Sequence, residues 1–392
     1  MNGYNRSMFS RLLRRNEEPA RDTVSTPAEE VSTASRRRVT GRTLAWRKFR
    51  QHKLALIALA FLLVSYAAYI FAESFAPYPP AESSPRVYMR PQPIHFFDNE
   101  GNFHWRPFVY GMEKTTNEDF QIVYTTDLTA MYPIRFFVKR PRAQFGIGAQ
   151  RMRTKLFGVE GEGYANLLGT DYRGRDLLSR IIYGGRVSMS IGLIGVTLST
   201  ILGTIIGTIS GYFGGRTDML IQRLIEMISS IPTIPLWLAL AAILPRDWPS
   251  TWVFLGITIV LALIGWTGLA RQIRGMVLSV RERDFIRASI AGGGNARFIM
   301  GKHIVPNVMS HLIVVSTIAL PGMILGESAI SFLGLGIKPP MTSWGLLLQD
   351  AQNLNAVLLS PWIMLPGLAI ILTVAAFNFL GDGLRDAADP YN

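Results

Sequence analysis

Long apolar runs alternate with polar connectors along most of this chain. The first run, LALIALAFLLVSYAAYIFA at 54–72, has no charged residue and is long enough to cross a bilayer core of about 30 Å as a helix. Five similar runs follow, at about 187–211, 224–244, 252–270, 304–326 and 361–380. The pattern predicts an all-α polytopic membrane protein with six transmembrane helices. It argues against a soluble protein, because no soluble core needs so many uncharged runs.

Positive charge indicates on which side of the membrane the connectors lie. The net charge is +13, with thirteen Lys and Arg within 1–53 and seven within the connector 271–303. Short connectors rich in Lys and Arg stay in the cytoplasm, so we expect both segments, and with six spans both termini, to be cytoplasmic. We interpret 1–53 as a basic and mostly disordered tail. Nucleic-acid binding is not predicted, because no fold presents these charges.

The connector 77–185 is too long for a simple loop. It is rich in aromatic residues and carries strand-like runs at 120–126 and 132–140. We therefore predict a small extracytoplasmic α+β or β-rich insertion between the first and second spans. The predicted organisation is a tail at 1–53, a first helix at 54–76, an extracytoplasmic domain with an interfacial elbow at 77–185, and a five-helix core at 186–392.

The elbow is predicted from LLGTDYRGRDLLSRIIYGGRVSMSIGL, residues 167–193. Thr170 or Asp171 can cap the start of its helix. Apolar residues share one face of that helix and charged residues the other, which is typical of a helix lying in the membrane interface. These residues are Leu177, Leu178, Ile181 and Ile182 on the first face, and Arg175, Asp176 and Arg180 on the second.

Candidate chemistry is sparse. The chain has no cysteine, and its five histidines show no ligand spacing, so we expect neither a disulfide nor a metal site. The 77–185 segment has no paired carboxylates and no nucleophile motif, so no catalytic residue is predicted there.

Two groups of residues within the spans are candidates for a specific role. Gly203, Gly207 and Gly211 form two overlapping small-xxx-small steps, which predict close helix packing. Glu327 is the one acid near the apolar sequence of a span, and an acid within the membrane is expected to be functional. With Ser328 and Ser331 it is a candidate for a translocation path, and the alternative is a structural role that anchors GESAISFLGLG.

The connector 284–303, DFIRASIAGGGNARFIMGKH, looks at first like a phosphate-binding loop. A phosphate loop needs G-x-x-x-x-G-K-[ST], but His303 follows Gly301-Lys302 and Ala296 stands where the first glycine belongs. We instead predict a contact surface. Asp284 can cap a helix over 285–291, three glycines end it, and 295–303 form a second short helix.

Pro306 then falls in the first turn of the fifth span, where its missing N–H costs nothing.

This connector resembles the EAA loop of ABC-importer permeases, E-A-A-x-x-x-G with a proline ending. Arg287-Ala288-Ser289 stand at the E-A-A positions, Gly293 is the glycine, and Val305-Pro306 close the motif. Arg replaces the acid and Ser the second alanine. The stretches 167–193 and 326–345 also resemble segments of the oligopeptide/dipeptide (peptide/nickel) importer permeases, in the same order. The chain thus resembles the C-type membrane subunit of that family over 167–392 and the first span.

The resemblance implies a type I permease fold and several partners. These are a second homologous permease, two ATP-binding subunits that hold ATP and magnesium, an extracytoplasmic solute-binding protein and the bilayer of the bacterial inner membrane. This chain would bind no cofactor and would not be an enzyme itself. The residues implied in coupling to the ATPases are Asp284, Phe285, Arg287, Ala288, Ser289, Gly293, Arg297, His303 and Pro306.

Peptides are the substrate class that the resemblance implies, with oligosaccharides, nickel or other solutes as alternatives. Two other protein classes stay open. An ion-coupled secondary carrier would need paired acids or histidines in its spans, and a membrane-anchored module would use 77–185 as its working domain. Copurification of ATPase subunits distinguishes these classes.

Overall fold

The structure is a computed structural model that describes residues 46–116, 122–139, 154–159 and 163–388. Most of the predicted disordered tail, 1–45, lies outside the described residues. The helices, in chain order, are α1 (Lys53–Ile70), α2 (Ala72–Phe75), α3 (Leu177–Phe213), α4 (Gly215–Ser229), α5 (Thr233–Ala242), α6 (Ser250–Arg281), α7 (Asp284–Ala291), α8 (Ala296–Phe298), α9 (Val305–Phe332), α10 (Trp344–Leu348), α11 (Leu354–Leu359) and α12 (Leu365–Ala388). The strands are β1 (His95–Phe97), β2 (Phe103–Thr116), β3 (Ile122–Lys139) and β4 (Thr154–Val159).

Five helices of the described chain are long and apolar enough to cross a membrane, and six if one bent pair counts as a span. The bent pair is α4 and α5, whose axes differ by 84°. A single span over 224–244 was predicted from the sequence, with Pro232 and Pro235 inside it, and the structure has two helices that meet at a sharp bend at Pro232. Pro232 interrupts the helical hydrogen bonds between the two helices, and its extended ψ of 132° turns the chain.

The start of α3 also differs from the prediction. The helix begins at Leu177 with Asp176 as its N-cap, not at a cap formed by Thr170 or Asp171, and it runs for 37 residues without a separate elbow. Arg175, Asp176 and Arg180 were expected on a polar face, yet all three are buried.

Their burial has a physical cause in the loop that precedes α3. Asp171 accepts a 2.7 Å hydrogen bond from Arg175 Nε, and Arg180 Nη1 binds the same carboxylate. Buried charges are tolerated only when they are paired in this way. The cluster therefore packs into the protein, where an amphipathic pattern alone would place it in the interface.

The insertion between α1 and α3 contains a four-stranded antiparallel sheet of order β1-β2-β3-β4. The described parts of the two strand-like runs, 122–126 and 132–139, belong to one strand, β3, which pairs with β2 from Thr116↔Ile122 to Phe108↔Pro133. Lys155 on β4 donates a 2.8 Å hydrogen bond to the Glu73 carbonyl in α2, which attaches the sheet beside the end of α1.

The two ends of the insertion meet at Tyr78 and, beyond it, through backbone hydrogen bonds between 84–92 and 166–174. The Tyr78 amide donates to Ser179 Oγ at 3.0 Å, and its hydroxyl accepts from the Ala165 amide at 2.8 Å. The segment entering the sheet and the segment leaving it are therefore joined directly above α3.

The helix directions divide the bundle into two ends. At the sheet end, Arg186 near the start of α3 binds Glu73 at 2.7 and 2.6 Å, and Ser250 at the start of α6 donates to the Lys338 carbonyl beyond α9. At the connector end, which carries 271–303, His52 before α1 lies 3.7 Å from Asp386 near the end of α12. The main apolar core lies between these ends, formed by α1, α3, α6, α9 and α12.

Candidate functional site

The connector begins with α7, a helix of two turns. Asp284 is its first residue and not its cap: Arg283 is the N-cap, and no side chain closes the helix start. A carboxylate in the first turn still suits the positive end of the helix dipole.

The three glycines end α7 in a Schellman motif. The Gly294 amide donates to the Ser289 carbonyl at 2.9 Å, and the Gly293 amide donates to the Ile290 carbonyl at 3.0 Å. Gly293 has a φ of +82°, in the left-handed region that glycine adopts without strain. The helix therefore stops at a fixed residue, and the chain turns back sharply towards α8.

One side chain anchors α7 to the bundle. Ile286 is fully buried, in an apolar cluster with the last turns of α6 and the first turns of α9. Its partners include Ile273, Val277, Ile304 and Val308. Because the cluster joins all three helices, a displacement of α7 also acts on α6 and α9.

The opposite side of the connector exposes apolar side chains. Phe285, Ile290 and Phe298 are 39, 51 and 49% exposed. The His303 ring lies between the two phenylalanines, with centroids 6.2 Å from Phe285 and 5.4 Å from Phe298. Ala288 is exposed and small, so a partner can approach the helix axis closely. This surface, Phe285, Ala288, Ile290, Phe298 and His303, is called the connector face below.

Ion pairs border the connector face. Arg287 Nη2 lies 3.0 Å from Glu282 Oε2, and Arg281 Nε lies 3.3 Å from Oε1 of the same carboxylate. The hydrogen bond from Arg287, together with that from Arg281, lowers the pKa of Glu282. Arg287, which stands where the resembling motif has an acid, is thus paired with an acid five residues earlier. Arg297 is exposed on the same connector.

The second half of the connector is not a separate short helix, as 295–303 was predicted to be. Asn295 caps α8 by accepting a 2.8 Å hydrogen bond from the Phe298 amide. A π-helical turn over Ile299–Ile304 then joins α8 to α9 without a break, and the Val305 amide donates to the Met300 carbonyl five residues earlier.

Pro306 accordingly lies within a continuous helix and not at a helix start. The wide π turn directly before it accommodates the ring, and such turns are frequent at functional positions.

Glycines hold α3 against α6 at the connector end. A Cβ on Gly207 would lie 2.5 Å from the Ala270 carbonyl oxygen, and Gly203 and Gly211 approach α6 almost as closely. Arg281 Nη1 donates to the Tyr212 carbonyl at 3.1 Å, and Arg274 binds Asp218 at 2.5 Å. The connector therefore begins at the end of α6, where α6 is packed tightly against α3.

Glu327 and Ser331 are fully buried and Ser328 is nearly so, in the last turns of α9 at the sheet end. Glu327 accepts hydrogen bonds from Ser188 Oγ at 2.8 Å and from Ser331 Oγ at 2.6 Å. The three residues therefore lie at the other end of α9 from the connector, and the structure does not bring the two candidate groups together.

Sequence reasoning missed Ile286, Glu282 and Ser188. The amphipathic pattern of α7 could have indicated Ile286 as the buried position. Nothing in the sequence near Ser188 indicates a partner on a helix 139 residues away. Within the described ranges, no group of three His, Cys, Asp or Glu residues could hold a metal ion.

Two family models match the chain. Residues 203–391 match the family described as binding-protein-dependent transport system inner membrane component, a range that contains the whole connector face. Residues 42–93 match the N-terminal TM domain of oligopeptide transport permease C.

Individual relatives agree with these matches. The chain is 46% identical over 230 residues to the oligopeptide transport system permease protein OppC of Haemophilus influenzae, covering 58% of this chain and 71% of that protein. It is 42% identical over 223 residues to the protein of the same name in Escherichia coli, covering 57 and 71%. The dipeptide transport system permease protein DppC of Lactococcus lactis is 31% identical over 347 residues, covering 88 and 89%.

Proposed function

The chain belongs to the family of oligopeptide and dipeptide permease proteins of binding-protein-dependent transport systems, and on that premise we propose that it is the C-type membrane subunit of an ATP-driven peptide importer. It forms half of the translocation path, and a second homologous permease forms the other half. An extracytoplasmic binding protein delivers the peptide. Two ATPase subunits hold ATP and magnesium.

The connector face carries the coupling to the ATPases. The observation that supports this role is the division of α7 into two sides, with Ile286 buried against α6 and α9 and with Phe285 and Ile290 exposed. Exposed aromatic and aliphatic side chains around small residues suit docking into a cleft of a partner. When ATP draws the ATPases together, α7 moves with its cleft and tilts α6 and α9. Such a switch needs only a few kcal/mol of differential binding to change its population.

The charge pattern supports an orientation in the bacterial inner membrane. The connector end carries the Lys- and Arg-rich segments, so it faces the cytoplasm together with both termini. The sheet end then faces outwards. There the insertion with its long β2–β3 hairpin stands beside the mouth of the path, where it docks the binding protein.

Substitution of Phe285 tests the coupling role. The variant Phe285→Ala, assembled with the partner permease, the ATPases and the binding protein in proteoliposomes, should lose about tenfold or more of ATP-dependent peptide uptake. Removing a central aromatic anchor of an interface commonly costs about 2 kcal/mol or more. The ATPases should also copurify less with this variant than with the parent.

The matched control is Phe103→Ala, an exposed phenylalanine of the sheet at 51% exposure. It should leave ATPase copurification unchanged. Equal copurification of the ATPases with both variants would refute docking at the connector face. Uptake of oligosaccharides or nickel in place of peptides would change the substrate class only, whereas uptake driven by a proton gradient without ATPases would indicate a secondary carrier.

A further inference from the structure

Beyond α9 the chain folds back into the bundle. Gly334, with a φ of +80°, ends the helix, and the Leu335 amide donates to the Ile330 carbonyl at 3.1 Å. Residues 343–348, which include α10, then pack against α3, α9 and α12, and this segment is called the wedge. It occupies the sheet end of the described bundle.

Buried contacts fix the wedge in place. Trp344 is fully buried, donates from Nε1 to the Ile181 carbonyl at 3.0 Å, and lies with its ring 5.7 Å from that of Tyr69. Gly345 leaves no room for a Cβ against the backbone of Ser328. These side chains hold the wedge in direct contact with α1, α3 and α9.

One carboxyl group links the wedge region to α3 and α9 through two hydroxyls. Ser188 Oγ on α3 donates to Glu327 and accepts from the Trp344 amide at 3.1 Å. Ser331 Oγ on α9 donates to the other oxygen of Glu327 and accepts from the Ile337 amide at 3.1 Å. A serine hydroxyl has a single proton, so donating it to Glu327 leaves the oxygen to accept the backbone amide. These three side chains are called the serine–glutamate cluster.

The cluster stands at the far end of the helix that begins in the connector. From Ala296 to Phe332 the chain forms one helix of 37 residues. A movement of its first turns by the connector is therefore carried to Glu327. There the cluster joins that helix both to α3 and to the backbone that leads into the wedge.

We propose that Glu327 is a positioning residue for transport: through Ser188 and Ser331 it fixes the wedge to α9, so that the sheet end opens and closes with the nucleotide state of the ATPases. Glu327 does not itself contact the peptide. This inference rests on the proposed function, because it requires a motor at the connector face.

The absence of cysteine from the sequence makes the test direct, since one introduced cysteine is the only thiol in the chain. Leu346→Cys places a thiol on the wedge, at a half-buried position outside the apolar core. The full complex, with its partner permease and ATPases in lipid nanodiscs, is labelled with a charged maleimide, without nucleotide and with Mg-ATP trapped by vanadate. Leu354→Cys, whose side chain is 70% exposed in the parent, is the reference for reagent access.

In the complex whose only substitution is Leu346→Cys, called the parent in this test, the labelling rate at position 346 should change about fivefold or more with trapped ATP. A change of this size is typical of the coupling between two sites. Adding Ser188→Ala or Ser331→Ala should bring that ratio close to one while ATP hydrolysis persists. The matched control is Ser199→Ala, a buried serine three turns along α3 that donates to the Ala262 carbonyl and not to the cluster. It should keep the parent ratio.

The outcomes separate the two proposals. A parent-like ratio in either cluster variant overturns the positioning role, and so does a parent complex that hydrolyses ATP without any change at position 346. Failure of the ATPases to bind the parent complex contradicts the proposed function itself. A loss of folding in Ser188→Ala leaves Ser331→Ala as the independent test, because each variant breaks a different arm of the cluster.

Discussion

Ionisable side chains in this protein are buried mainly where the insertion joins α3. Asp176 caps α3 by accepting from the Ser179 amide at 2.8 Å, and it accepts from Asn166 Nδ2 at 3.0 Å. Burial nevertheless raises the pKa of Asp176 to about 6, and burial likewise raises the pKa of Asp350 to about 6. Both carboxyls bind a proton more tightly in the folded protein than in the unfolded chain.

The contribution of these two carboxyls to folding stability should therefore fall as the pH rises from about 4 to about 6. In that window the folded protein keeps a proton on Asp176 that the unfolded chain has released, so the free energy of unfolding decreases with pH. Asp176→Asn keeps an acceptor for the Ser179 amide and does not titrate. We expect the loss of stability between about pH 4 and pH 7 to be smaller by about 2 to 3 kcal/mol in this variant.

Thermal unfolding of the purified protein in detergent at several pH values measures this difference. Asp386→Asn, which removes an exposed carboxyl at the connector end, is the control and should follow the parent. A pH dependence of Asp176→Asn identical to that of the parent would contradict the assignment.

Contacts between helices depend on residues that lack side chains. Gly203, Gly207 and Gly211 bring α3 against α6, and Arg281 at the end of α6 donates to the Tyr212 carbonyl at the end of α3. Because the connector extends from this pair, close packing of α3 against α6 fixes the position from which α7 begins. By contrast, the junction of α4 and α5 bends by 84° at Pro232.

Gly207→Ala should weaken this helix pair. The added Cβ would lie 2.5 Å from the Ala270 oxygen and 3.0 Å from its Cα, so the backbones must separate. Overpacking of this kind costs about 1 to 3 kcal/mol, which a lower midpoint of thermal unfolding would report. Gly275→Ala on α6 adds a Cβ that meets nothing within 4 Å, and because alanine favours a helix more than glycine does, its midpoint should not fall below that of the parent. Equal effects of both substitutions would show that the approach of α3 to α6 is not the cause.

The sequence predicted elements whose determinants are local. The helix over 285–291, its glycine stop at Gly293, and the strand character of 122–126 and 132–139 depend on neighbours within a few residues, and all are present. The exposed charged face predicted for the elbow was wrong because the partner of Arg180 is Asp171, which the helical pattern does not contain. Ser188 was missed for the same reason, since its partner Glu327 comes from another helix.

At the scale of the whole molecule, the bundle has two chemically different ends. The connector face and the start of α1 lie at the connector end. The insertion, the wedge and the serine–glutamate cluster lie at the sheet end. Coupling between a motor and a path requires both ends to respond together, and α9 reaches both. The proposed orientation follows from this arrangement and from the distribution of Lys and Arg.

Single cysteines test that orientation in cells. Phe103→Cys on the sheet should react with a membrane-impermeant maleimide added to intact cells stripped of their outer membrane. Phe285→Cys, in a chain produced without the ATPase subunits that would cover it, should react only in inverted membrane vesicles. Both parent side chains are exposed, at 51 and 39%, so reagent access to the two positions is comparable. Labelling of both positions from the same side would refute the proposed topology.

The meeting of the two insertion ends at Tyr78 makes the sheet a removable module. Because 78–92 and 165–179 are joined there by hydrogen bonds, residues 93–164 can be lengthened, shortened or exchanged without altering the spacing of α1 and α3. Chimaeras cut on either side of that junction should keep their helices in register. An importer can thus change the external domain that docks its binding protein while the helices that couple to the ATPases stay the same.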